Sequence, residues 1–146
     1  FIGEGPEKPM LVELVKEKKL ENVTFLPIQS KKDMPQIIAS MDATVVPLKK
    51  LDLFKGALPS KMFEALASEL PIVLAVEGEA EELIKNAKAG IVVEPENEKS
   101  IARAVLKLYE DRDLREELGR NGRDYVMKYF SREAIIGFKV GSEGYV

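Results

Sequence analysis

The residues with the most chemical potential lie in one stretch, Gly56-Ala57-Leu58-Pro59-Ser60-Lys61-Met62-Phe63-Glu64-Ala65-Leu66-Ala67, followed by Ser68-Glu69-Leu70-Pro71-Ile72-Val73. Its order of residue types predicts loop, helix and strand. Ser60 is a good N-cap and Pro59 is tolerated just outside or in the first turn, so a helix is expected to open near Ser60. The first N–H groups of such a helix lack partners and carry partial positive charge, which suits a phosphate. Gly56 lets the backbone come close to a ligand, and Lys61 adds a full positive charge at the same end. Glu64 falls one turn after Ser60 and Lys61, on roughly their face, where its carboxylate can accept from sugar hydroxyls. Phosphate donors and a hydroxyl acceptor together describe a nucleotide site. The same residues also admit a plainer reading: a cap at Ser60, a helix-start signal at Pro59 and a solvated i,i+3 pair of Lys61 and Glu64.

Short apolar strands alternating with amphipathic helices must position that stretch. Phe1-Ile2-Gly3-Glu4-Gly5-Pro6 reads as a strand tail running into a glycine turn; Gly3-x-Gly5 lacks the third glycine of a dinucleotide fingerprint. Met10, Leu11, Leu14 and Val15 predict an amphipathic helix over 9–19, ended by Asn22, and Val23-Thr24-Phe25-Leu26 a short strand. After a loop over 27–35 capped by Ser30 or Asp33, Ile37, Ile38 and Met41 form an expected buried stripe, closed by Asp42. Ala43-Thr44-Val45-Val46-Pro47 is a third strand, too apolar to have one face in water. Ile72-Val73-Leu74-Ala75 is a fourth strand, 79–87 a helix and Gly90-Ile91-Val92-Val93 a fifth strand. Asn97 is expected to cap a helix carrying Ile101, Ala104, Val105 and Leu108, with a last helix over 111–127. Tyr125, Tyr129 and Phe130 read as packing residues.

Such alternation implies a parallel sheet covered by helices on both faces, an α/β Rossmann-like three-layer fold. Ligands on these sheets bind at the carboxyl ends of the strands. The loop over 49–57 and the start at Ser60 both lie there. The lysines of that loop, Lys49, Lys50 and Lys55, are accounted for by solubility in at least two cases. Glu77, Glu79, Glu81 and Glu82 place negative charge at a helix N-terminus, where it is stabilising; Glu77 and Glu79 as an acid–base pair is the alternative.

Composition limits the chemistry further. With no cysteine and no histidine among 146 residues, thiol nucleophiles, disulfides and the usual general base and metal ligands are excluded, and no metal site or cofactor is expected. A net charge of −3 gives no support for nucleic-acid binding. No apolar run reaches the length of a membrane span, and no signal peptide is visible, which makes a cytoplasmic setting the default.

The chain resembles the C-terminal, donor-binding half of the retaining family-four glycosyltransferases of the GT-B fold. The resemblance runs through Phe1-Ile2-Gly3-Glu4-Gly5-Pro6, Glu21-Asn22-Val23-Thr24-Phe25-Leu26-Pro27, Asp33-Met34-Pro35, Met41-Asp42-Ala43-Thr44-Val45-Val46-Pro47-Leu48 and, most specifically, Leu58-Pro59-Ser60-Lys61-Met62-Phe63-Glu64. Gly90-Ile91-Val92-Val93-Glu94-Pro95 and Leu118-Gly119-Arg120-Asn121-Gly122-Arg123 match its closing segments.

The resemblance implies transfer of a hexose-type sugar from a UDP- or GDP-sugar, with retention at the anomeric carbon. It implies that Glu64 holds the ribose hydroxyls and that amides around Leu58, Ser60 and Lys61 hold the diphosphate. The loop of Leu26, Pro27 and Ile28 is implied to lie against the base. Many relatives carry a further glutamate that touches the donor sugar eight positions before the ribose glutamate. Here that position is Gly56, with only a backbone N–H to offer.

An acceptor-binding N-terminal domain, through which the enzyme would touch a membrane peripherally, and a phosphate-binding Arg and Lys are implied to lie before Phe1. The fragment alone is expected to be inactive. Residues 1–135 are expected to form the nucleotide-sugar-binding domain, and 136–146 a tail unlike the family's closing helix. Two further readings remain beside this one: a binding or interaction module without chemistry, and a sugar-nucleotide 2-epimerase.

Overall fold

The computed structural model describes residues 1–131, so the expected tail at 136–146 lies outside the described residues. The chain divides into two compact units, one of residues Phe1–Ile37 and one from Ile38 onward.

In the first unit, the Phe1 and Gly3 backbone meets the 24–26 segment. Leu26 N–H donates to the Phe1 carbonyl at 2.7 Å, and Gly3 N–H donates to the Leu26 carbonyl at 3.1 Å. Phe1 stacks on Phe25 with ring centroids 5.3 Å apart. This parallel bridge between Ile2 and Leu26 replaces the two strands expected there. Helix α1 is Lys8–Glu17, begun by a proline in its first turn. Its expected apolar stripe is only partly covered: Leu11 and Val15 are half-buried while Met10 and Leu14 are exposed. Helix α2 is Met34–Ala39 and contains no buried residue. The expected buried stripe is therefore absent. Ile37 and Ile38 are half-buried, and Met41 lies beyond the helix end and is exposed.

The second unit holds the sheet. Strands β1 (Thr44–Pro47), β2 (Ile72–Ala75) and β3 (Gly90–Val92) pair in parallel in the order β1-β2-β3, with Val45 beside Val73 and Val73 beside Ile91. Between them run α3 (Ser60–Ala67) and α4 (Glu79–Ala87), and α5 (Glu98–Glu110) and α6 (Arg112–Phe130) follow.

The pleat of β2 sorts the core into two layers. Ile72 and Leu74 pack with Met62, Ala65 and Leu66 of α3, Ala80, Leu83 and Ile84 of α4, and Val126 of α6. Val73 faces the other way, toward Ala104 and Leu108 of α5 and Ile101, Leu114 and Leu118. Every residue of β2 is buried, as its unbroken apolar run requires. In β1, at the edge of this sheet, only Val46 is buried and Val45 is 42% exposed, so the expectation that both faces are covered fails there.

Two glycines let α6 lie close. A Cβ on Gly119 would overlap the Glu69 carbonyl oxygen, and one on Gly122 would stand 2.8 Å from a Leu66 methyl. As its sequence predicts, Asn97 caps α5, its side chain accepting from Ser100 N–H at 3.0 Å.

Candidate functional site

Because the three strands are parallel, the segments that follow them emerge at one edge of the sheet. After β1 the chain passes through a short 3-10 turn, Asp52–Phe54, and enters α3 at Ser60. That loop is docked on the start of α4. The Lys55 carbonyl accepts from Glu79 N–H at 2.8 Å. Gly78 makes this approach possible: its φ is +88°, and a Cβ there would fall inside the Lys55 carbonyl.

Pro59, not Ser60, is the N-cap of α3, with non-helical angles of φ −57° and ψ 125°. Proline supplies no side-chain acceptor, so no side chain caps this end. Ser60 is the first helical residue. Met62 N–H donates to the Pro59 carbonyl at 2.9 Å, while the N–H groups of Ser60 and Lys61 have no carbonyl one turn before them within the helix.

The helix buries Met62, Ala65 and Leu66 and turns Ser60, Lys61 and Glu64 outward, all exposed. Among the described residues neither Lys61 nor Glu64 is in an ion pair or side-chain hydrogen bond, so the plainer reading of them as an i,i+3 pair is not what forms. Gly56 and Leu58 are exposed on the approach loop. A Cβ at residue 56 would have ordinary room, its nearest neighbour being Glu79 Oε1 at 3.9 Å, so local packing does not demand glycine.

Gly56, Leu58, Ser60, Lys61 and Glu64 are thus brought together on one loop and helix start. Leu26, Pro27 and Ile28 belong to the first compact unit. Leu26 is tied by its bridge to Ile2, the Gln29 amide donates to the Pro27 carbonyl at 2.9 Å, and Ile28 is 70% exposed.

One cluster at the strand ends was not foreseen. Lys50, after β1, reaches Glu77, after β2, at 3.4 Å and Glu94, after β3, at 3.1 Å, and its N–H donates to Glu96 at 3.1 Å. The two carboxylates, Glu94 first, hold the Lys50 ammonium above the ordinary lysine range, and Asn97 and then Lys50 hold Glu94 below the ordinary glutamate range. Lys50 is therefore a tie between strand ends rather than a solubilising charge. It also engages Glu77, which weakens the acid–base alternative for Glu77 and Glu79. Lys55 pairs with Asp52 at 2.7 Å. No group of three acidic residues able to hold a metal ion occurs among the described residues, and none of their helices is long and apolar enough to cross a membrane. A shallow concavity lined by Arg103, Leu106, Lys107 and Glu110 lies at the corner between α5 and α6, away from these groups.

Residues 1–125 match the family described as glycosyl transferases group 1. The chain belongs to this family. This group 1 glycosyltransferase chain is 38% identical, over 72 residues and 49% of its length, to the capsular polysaccharide biosynthesis glycosyltransferase CapM of Staphylococcus aureus, of which it covers 19%. It is 29% identical over 120 residues to alpha-D-kanosaminyltransferase of Streptomyces kanamyceticus, covering 82% of the chain and 30% of that relative. It superposes on Anabaena HepE, solved in complex with UDP-glucose, with a TM-score of 0.78 at 23% identity, over 97% of this chain and 40% of that one. The likeness gives the fold, the Rossmann-like α/β architecture of GT-B glycosyltransferases. The chain spans between 19% and 40% of the length of these relatives.

Proposed function

We propose that this group 1 glycosyltransferase chain binds the nucleotide-sugar donor, a UDP- or GDP-sugar, at the start of α3. The observation that carries the reading is a helix N-terminus with no side-chain cap beside Lys61 and Glu64, both exposed and, among the described residues, without an ion-pair or side-chain hydrogen-bond partner. The backbone N–H groups of Leu58, Ser60 and Lys61 and the Lys61 ammonium take the diphosphate, and Glu64 takes the ribose hydroxyls. The loop of Leu26, Pro27 and Ile28 is assigned to the base. In the whole enzyme a hexose-type sugar passes to an acceptor with retention at the anomeric carbon. As the bond from that carbon to the diphosphate oxygen breaks, the amides and Lys61 stabilise the charge that grows on the leaving phosphate. The UDP-glucose bound to HepE supports the ligand class. An N-terminal acceptor domain, peripheral membrane contact through it and a cytoplasmic setting complete the proposal for the whole protein.

Calorimetric titration with UDP-glucose and GDP-mannose tests the reading. Heat of binding for one of them, abolished in Glu64→Ala, is the expected result. Binding that is unaffected by Glu64→Ala would contradict the assignment of α3.

A further inference from the structure

We propose that Glu79 is the residue that recognises the sugar of the donor, an inference that rests on the reading of α3 as the diphosphate site. Glu79 is the first residue of α4 and is exposed. Its N–H holds the Lys55 carbonyl at 2.8 Å, so the start of α4 is joined to the loop that leads into α3. Gly78 permits that junction by lying flush against the same carbonyl. The outcome is a fixed neighbourhood: Glu79 Oε1 lies 3.9 Å from the point where a side chain on residue 56 would begin. Residue 56 contributes no side chain of its own, and the space along its backbone is bordered by the Glu79 carboxylate.

The acids on either side are occupied. Glu77 is paired with Lys50 and Glu81 with Lys85, whereas Glu79 has no ionic partner among the described residues. An unpartnered carboxylate repels phosphate and accepts strongly from hydroxyl or amino groups. The diphosphate sits on the N–H groups of Leu58, Ser60 and Lys61 in the proposed site, with Glu64 on the ribose side one turn into the helix. Glu79 borders the chain just upstream of that stretch, at Gly56. The donor's sugar is the part of the ligand that supplies hydroxyls there.

The test is a titration of wild type, Glu79→Ala and Glu79→Gln with UDP, UDP-glucose and UDP-N-acetylglucosamine, and with GDP and GDP-mannose. The expected result is that Glu79→Ala weakens the nucleotide sugar by roughly tenfold to a hundredfold, as for loss of charge-assisted hydrogen bonds, while the matching nucleoside diphosphate is unchanged. Glu79→Gln, which keeps an acceptor, falls between. Equal affinities of wild type and Glu79→Ala for the sugar conjugate, or an equal loss for conjugate and diphosphate, would overturn the role of Glu79 and leave the α3 site standing. Failure of wild type to bind any of the five would overturn the α3 reading, and this inference with it.

Discussion

Gly78 and Lys55 meet in a contact that only glycine permits. The Lys55 carbonyl lies against the Gly78 Cα, at φ +88°, where a Cβ would overlap it, and accepts the N–H of the next residue, Glu79, at 2.8 Å. This contact fixes the loop after β1 on the start of α4. Gly78→Ala is therefore expected to cost about 1–3 kcal/mol from the strained backbone alone, with displacement of the loop added. Urea denaturation reads the stability. Gly56→Ala, where a Cβ has room, is the control and should leave stability within about 0.5 kcal/mol.

The two faces of α3 separate packing from binding. Leu66 is 1% exposed and packs beneath α6 at Gly122, so Leu66→Ala should cost about 2–5 kcal/mol. Glu64→Ala, on the outer face, should leave the unliganded melting temperature nearly unchanged. Thermal denaturation of both variants without ligand checks the contrast.

Lys61 is expected to act on phosphate alone. Lys61→Ala should weaken a nucleoside diphosphate by about tenfold and the free nucleoside hardly at all, because only the former presents an anion to the ammonium. Calorimetry with UDP against uridine, or GDP against guanosine, reads the difference. Equal losses would remove Lys61 from the phosphate site.

The tie among Lys50, Glu77 and Glu94 makes a pH prediction. Glu94 is depressed when folded, through Asn97 and then Lys50, so its contribution is present above the ordinary glutamate range and is lost as pH falls through its lowered value. Lys50 is raised when folded, so its contribution is present below the ordinary lysine range and is lost as pH rises through its raised value. The cluster thus gives a flat plateau with losses at both ends. The groups are exposed, so the losses should be small and diminished by salt. Melting curves across pH should show Lys50→Ala with shallower falls at both ends than wild type.

The sequence made β2, α4 and α5 legible because their signals are local: an unbroken apolar run at Ile72-Val73-Leu74-Ala75, acidic residues opening a helix at Glu79, and an Asn97 cap. The start of α3 was legible to within one residue. Proline took the cap that Ser60 was expected to hold, since the extended angle before Ser60 belongs to Pro59. The strand at 23–26 failed because, among the described residues, a single bridge is its only pairing, a fact of tertiary contact that alternating residue types do not encode. The Lys50 tie joins residues 44 apart in sequence to Glu94 and had no local signal. Gly78, a lone glycine just before a helix, was the available sign of the loop docking. The short distance from Gly56 to Glu79 exists only once β1 and β2 are side by side.

The most direct measurement is a thermal-shift panel of UDP, GDP, ADP, CDP and their sugar conjugates against the wild-type chain and Glu64→Ala, since a ligand that binds the folded state raises its melting temperature. A donor site at the start of α3 predicts a shift for uridine or guanosine diphosphates and their sugars that disappears in Glu64→Ala. A shift of equal size in both proteins would place the nucleotide elsewhere and contradict it.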